Sequence, residues 1–103
     1  KGTNLSGLNL SNVDFSGIDL SNTNLSKANL SGANLQGTNL SNADLTKTDL
    51  TGANLTKANL SNANLSFTDL SNANLSQTIL SGIKLDFTNF CGATMPNRSK
   101  RQC

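Results

Sequence analysis

The ionisable side chains of this 103-residue chain are six aspartates, eight lysines and arginines, and two cysteines; histidine, tyrosine and tryptophan are absent. Paired carboxylates can share a proton, and two thiols can form a disulfide. Catalysis needs groups of unlike character converging in one pocket. Asp14, Asp19, Asp44, Asp49 and Asp69 instead share one recurring position that asparagine fills elsewhere. They read as variants of a structural polar residue. Asp49 and Asp69 are the pair whose spacing, twenty residues, suits a carboxylate pair. Two cysteines without histidine are too few to hold zinc. The glycines are scattered singly, and there is no nucleotide-binding or nucleophile motif. The reading is a non-enzymatic chain with no catalytic residue, no metal and no cofactor.

A repeat positions these residues. From Leu5 to Met95 every fifth residue is apolar: sixteen leucines, then Phe15, Phe90 and Met95. The preceding residue is Asn or Asp in sixteen of the nineteen blocks, the exceptions being Ile79, Lys84 and Thr94. The residue two before is mostly Ala or Thr, and the residue after is mostly Ser or Thr. An α-helix cannot use this period: five residues advance roughly 500°, so the leucines form no stripe. A continuous strand fails as well, because an odd spacing sends successive leucines to opposite faces. Three extended residues followed by a corner do work. In Ala33-Asn34-Leu35 the Ala and Leu point inward and Asn34 points out, so Asn34 is expected to tolerate substitution far better than a leucine.

Thirteen of nineteen residues two after the centre are Gly or Asn. A type II turn needs positive φ at its third residue, which those residues tolerate. The exceptions are Lys27, Lys47, Lys57, Phe67, Gln77 and Phe87. A twenty-residue coil gathers Lys27, Lys47, Phe67 and Phe87 into one column and leaves two columns free of exceptions. Three sides would scatter them. The expectation is an all-β, quadrilateral coil, four sides of five residues each, about five coils long. The Lys27 column is expected to use another turn type, because Lys and Phe resist positive φ.

The A-N/D-L-S/T-X blocks, such as Ala53-Asn54-Leu55-Thr56 and Ala58-Asn59-Leu60-Ser61, resemble the pentapeptide-repeat family over about residues 3 to 95. The resemblance implies a right-handed quadrilateral β-helix; the handedness comes from the family alone. Some members imitate duplex DNA and bind type II topoisomerases through strongly acidic surfaces. A net charge of +2 disfavours that role here and leaves it as the alternative.

The leading reading is a rigid scaffold for protein–protein interaction, its partner unidentified. Direct nucleic-acid binding is disfavoured, because the basic residues are isolated or in the tail and no aromatic stripe accompanies them. Ice binding is disfavoured because most Thr points inward and the outward positions are mainly serine. No apolar run is long enough to span a membrane. Outward Phe67, Phe87 and Ile79 break the polar pattern and are candidate contact residues. Leu8, Val13 and Ile18 are unusually large inner residues of the first coil. Leu8 and Ile18 are the candidates for an end-to-end homodimer through that coil, or for contact with a preceding segment.

Residues 1–95 are assigned to the solenoid and 96–103 to a C-terminal capping tail. Cys91 and Cys103 bracket this tail, and a disulfide between them would fold it over the last coil; two free thiols in a reducing cytoplasm are the alternative. The stretch Phe90-Cys91-Gly92-Ala93-Thr94-Met95-Pro96 with a final Cys resembles the C-termini of cyanobacterial and thylakoid-lumen members. That implies an oxidising compartment, thylakoid lumen or periplasm.

Overall fold

A computed structural model describes residues 2–103. Every side of the coil is a single residue wide in its pairing. Asn4 bridges Asn24 in parallel, Asn24 bridges Asp44, and the register of twenty continues through Asn74 and Thr94. This register establishes the four-sided coil. Side 1 comprises residues 3–5, 23–25, 43–45, 63–65 and 83–85. Side 2 begins at residues 8–10, side 3 at 13–15 and side 4 at 18–20. Each repeats every twenty residues.

One bonding rule joins the coils. A centre N–H donates to the outward residue of the next coil, as Leu25 does to the Asp44 carbonyl at 2.8 Å. The next outward residue donates back, as Asp44 N–H does to the Thr23 carbonyl at 3.0 Å. These two bonds flank each bridge, and the other backbone groups of an inner side are used in the corners, as the Thr23 N–H is by the Leu20 carbonyl and the Leu25 carbonyl by the Ala28 N–H.

The core follows from the alternation. Leu25, Leu45 and Leu65 stack on side 1 with no exposed area, and Leu30, Leu50 and Leu70 do so on side 2. Inner Ala28, Ala33, Ala58 and Ala63 are buried between them. Small inner residues let the leucines meet across the coil at interior packing density. The two ends depart from this. Leu5, Leu10 and Phe15 in the first coil, Leu80 at the end of the fourth, and Ile83 and Met95 in the last are only partly buried.

The outward Asn and Asp do more than face water. Asn34 Oδ1 accepts the Gln36 N–H at 3.1 Å, and Asn54 Oδ1 accepts both the N–H and the hydroxyl of Thr56. This contact recurs along the chain, for example from Ser41 to Asn39. It supplies an acceptor for a corner N–H that points away from the ladder. The outward assignment of Asn34 stands, and its oxygen has a structural role in the corner besides. Thr94 shows the logic in reverse: two residues on lies Pro96, which has no N–H to satisfy.

The corners also correct an expectation. Lys27, Lys47, Phe67 and Phe87 have φ of 61°, 59°, 60° and 59°, like Asn22 and Asn42 at 60°. The corners from Gly7 to Gly92 therefore share one positive-φ turn, and only after Met95 does the positive φ move on to Arg98. Most are closed by a centre carbonyl accepting the N–H three residues on, as Leu45 does from Thr48 at 3.1 Å; the corner at Gly82 lacks this bond. The ladder fixes this geometry on all four sides, and it overrides the residue's own preference. Three corner glycines also meet a side chain from the coil below. A Cβ on Gly32 would collide with Asn12 Oδ1 of the coil below, and Gly82 and Gly92 stand in the same relation to Asn62 and Asn72.

Candidate interaction surface

The carboxylates are engaged in the corners. Asp49 and Asp69 do bridge one coil apart, as the spacing suggested. Asp49 Oδ1 accepts from Thr51 and Asp69 Oδ1 from Ser71. Both therefore do the work of the asparagines around them. Hydrogen bonds from Ser16, its hydroxyl first and then its backbone N–H, hold the Asp14 carboxyl below the usual aspartate range, against the desolvation that would raise it. No group of three or more His, Cys, Asp or Glu suited to a metal ion occurs among the described residues. No helix among the described residues is long and apolar enough to cross a membrane.

The apolar exceptions lie on the surface. Phe67 and Phe87 occupy one corner column between sides 1 and 2, and their rings stack with centroids 5.2 Å apart and planes 15° from parallel. The coil spacing sets this separation, since neighbouring strands lie roughly 4.8 Å apart. Phe87 is 82% exposed and Phe67 54%. Ile79 lies outward and exposed on side 4, one side before, with Lys84 outward between it and Phe87. Neither Ile79 nor Lys84 can offer the corner oxygen that Asn supplies, so both sites give up a structural contact.

Leu8 and Ile18 lie at the other end of the coil. Both are exposed, and Val13 between them is half-buried. The candidate contact residues therefore form two separate groups, one at each end.

The tail folds back as a strand. Thr94 and Lys100 bridge in antiparallel fashion on side 3. Arg101 N–H donates to the Ala93 carbonyl at 2.7 Å, and Met95 N–H to the Ser99 carbonyl at 2.8 Å. Cys91 and Cys103 are joined, their Cα atoms 4.5 Å apart. The Arg101 guanidinium lies 5.0 Å from the centre of the Phe90 ring, which it helps to bury. An open groove of about 230 Å³ remains between residues 88–91 and 101–103.

The tail covers side 3 and leaves side 1 open. Leu85, at the centre of side 1 in the last coil, is 44% exposed, whereas Leu65 directly below it is fully buried. Sequence reasoning missed Leu85 because its block looks like any other centre.

A family model described as pentapeptide repeats matches residues 1–37, 23–62, 38–77 and 58–97. No curated protein sequence matches the chain significantly. Among solved structures, HetL of Nostoc sp. strain PCC 7120, a pentapeptide repeat protein involved in heterocyst differentiation regulation, aligns with TM-score 0.80 and 34% identity. That alignment covers 98% of this chain and 52% of HetL, so the chain spans about half of HetL's length. A pentapeptide repeat protein of the Arabidopsis thaliana thylakoid lumen aligns with TM-score 0.65 and 30% identity, over 93% of this chain and 70% of its own. Rfr23 of Cyanothece 51142 gives 0.54 and 29%, over 85% and 88%.

Proposed function

The chain belongs to the pentapeptide-repeat family, and from that premise we propose that it is a rigid, non-enzymatic scaffold for protein–protein interaction. Right-handed winding is what membership implies for the four-sided coil. Residues 1–95 form the scaffold in this reading, and residues 96–103 close its C-terminal end.

The observation that carries the reading is the Phe67–Phe87 stack. Two adjacent aromatic rings stand exposed on a rod whose other corners carry Gly, Asn, Lys or Gln. Burying such rings is among the largest contributions an interface residue makes. The test is proximity crosslinking in the native host with the natural sequence and with a Phe67→Ser, Phe87→Ser double variant. Loss of specific crosslinked proteins in the variant supports the scaffold. An identical crosslinking pattern in both overturns it.

The Cys91–Cys103 link and the likeness to a thylakoid-lumen protein support an oxidising compartment, lumen or periplasm. A reduced pair would instead fit the cytoplasm. Half-exposed Leu8 and Ile18 support end-to-end self-association through the first coil. Leu8→Thr with Ile18→Thr is expected to reduce association in analytical ultracentrifugation, and an unchanged oligomeric state rules that contact out. The topoisomerase-directed alternative has the charge against it, and inhibition of gyrase supercoiling at stoichiometric concentration would restore it.

A further inference from the structure

The capping tail shows what the C-terminal edge of this solenoid accepts. On side 3 the groups used are the Ala93 carbonyl and the Met95 N–H, which flank Thr94 and receive the antiparallel strand 99–101. Side 1 offers the same two groups in the same relation. The Ile83 carbonyl and the Leu85 N–H flank Lys84, and neither has a hydrogen-bond partner among the described residues. One coil below, the equivalent groups are both used: Lys84 N–H donates to the Ala63 carbonyl at 3.1 Å, and Leu65 N–H to the Lys84 carbonyl at 2.9 Å.

We propose that side 1 of the last coil is a strand-addition site that takes an extended peptide segment of a partner protein, with acidic and apolar residues alternating. This rests on the scaffold reading and names the partner's chemistry. Main-chain bonds to Ile83 and Leu85 would hold the peptide, as they hold the chain's own tail on side 3. Its inward side chains would cover Leu85, which accounts for the apolar half of the pattern. Its outward side chains would lie beside Lys84, which accounts for the acidic half. Charge points the same way. Four of the chain's eight basic residues, Lys84, Arg98, Lys100 and Arg101, lie in residues 81–103, with Asp86 the one acidic residue there. Phe87, at the corner that follows, extends the apolar surface beyond the strand edge.

Side 1 is preferred over its neighbours for physical reasons. On side 2 Phe90 is already screened by Arg101, and on side 4 Thr78 is buried and Leu80 partly so. Leu85 is the inward centre left open.

The test uses the intact 103-residue protein. The probe is a fluorescein-labelled peptide of alternating glutamate and valine, with an alternating lysine and valine peptide as control. Saturable anisotropy with the acidic peptide is expected, together with slowed exchange of the Leu85 amide. Lys84→Glu is expected to weaken binding about tenfold or more, since it turns one attraction into a repulsion beside the bound strand. Leu85→Asp should abolish binding while exchange at the Leu45 amide stays slow, showing that the coil is intact. Lys57→Glu, on a corner between sides 3 and 4, should change nothing.

Several outcomes overturn the site: no binding of the acidic peptide, equal binding of the basic one, or protection that spares Leu85. A dimer that forms through this edge without peptide and is lost in Leu85→Asp also overturns it, because a second copy is then the occupant. If the host crosslinks survive Leu85→Asp but not the double phenylalanine variant, this inference fails and the scaffold reading stands. If they survive both, the scaffold reading itself fails.

Discussion

Thr48 Oγ1 donates to the Leu25 carbonyl 2.7 Å away, one coil below. Thr38, Thr68, Thr78 and Thr88 repeat this bond to Phe15, Leu45, Leu55 and Leu65, each 23 residues back. Thr23 is as buried as Thr48, yet its hydroxyl has no partner among the described residues. A satisfied buried hydroxyl contributes about 1 kcal/mol, and an unsatisfied one costs about as much or more. Thr48→Val is therefore expected to destabilise this chain, and Thr23→Val to stabilise it. Urea midpoints that shift the same way for both would show that Thr23 is hydrogen-bonded.

Leu45 lies between Leu25 and Leu65, and none of the three has exposed area. Leu45→Ala leaves a void that the ladder above and below prevents from collapsing. The expected loss is about 2–5 kcal/mol. Asn34→Ala removes one oxygen from the Gln36 N–H at the surface and should cost about 1 kcal/mol, as at a helix cap. Equal losses in denaturant titration would contradict the inward and outward assignment.

Gly32 and Gly52 separate two causes of corner glycine. Their φ values are nearly the same, 68° and 67°. Only Gly32 has a side chain, that of Asn12, in the place a Cβ would occupy; Gly52 has open space. Alanine at either site meets the left-handed penalty of about 1–2 kcal/mol. Gly32→Ala should therefore cost more than Gly52→Ala, and Asn12→Ser should narrow the difference. Indistinguishable melting temperatures for the two alanine variants would exclude a role for the Asn12 contact.

The fold was legible because the period is so strict. Leucines at every fifth position admit few solutions, and the Lys27 and Asn12 columns sorted them to four sides. Two features were hidden for opposite reasons. The turn at Lys47 and Phe67 could not be read from residue preference, because a preference of about 1–2 kcal/mol yields to a ladder that fixes every corner alike. Leu85 could not be read from its own block, because its exposure depends on which side the tail at 99–101 covers. The outward groups Phe67, Phe87 and Ile79 were legible as breaks in a pattern. Their grouping at the opposite end of the coil from Leu8 and Ile18 needed the register.

Asp14 sets a pH dependence of known sign. Bonds from Ser16 depress its carboxyl pKa in the folded chain. A depressed carboxylate stabilises the fold at any pH above its unfolded value and loses that contribution as pH falls through the folded value. Acidification from about pH 5 downward, the range where aspartates titrate, should lower the stability of the natural chain. Asp14→Asn keeps an acceptor oxygen for Ser16 and should flatten part of this slope. A variant whose urea midpoint falls as steeply with acid would remove Asp14 from the account.

The Cys91–Cys103 link spans 12 residues of sequence and closes the hairpin that covers side 3. In the chain-entropy picture a loop of this size stabilises the folded end by about 3 kcal/mol. The effect should be local. Without the link, the bonds from Gly92 to Arg101, Arg101 to Ala93 and Met95 to Ser99 must hold the tail by themselves. Cys91→Ser with Cys103→Ser is therefore expected to speed amide exchange at Gly92, Met95 and Arg101, while Leu45 and Leu65 exchange as slowly as before. Protein taken from an oxidising compartment should resist alkylation until it is reduced. Two freely alkylated thiols in unreduced protein, or unchanged exchange at Met95 in the serine variant, would show that the tail is held without the bond.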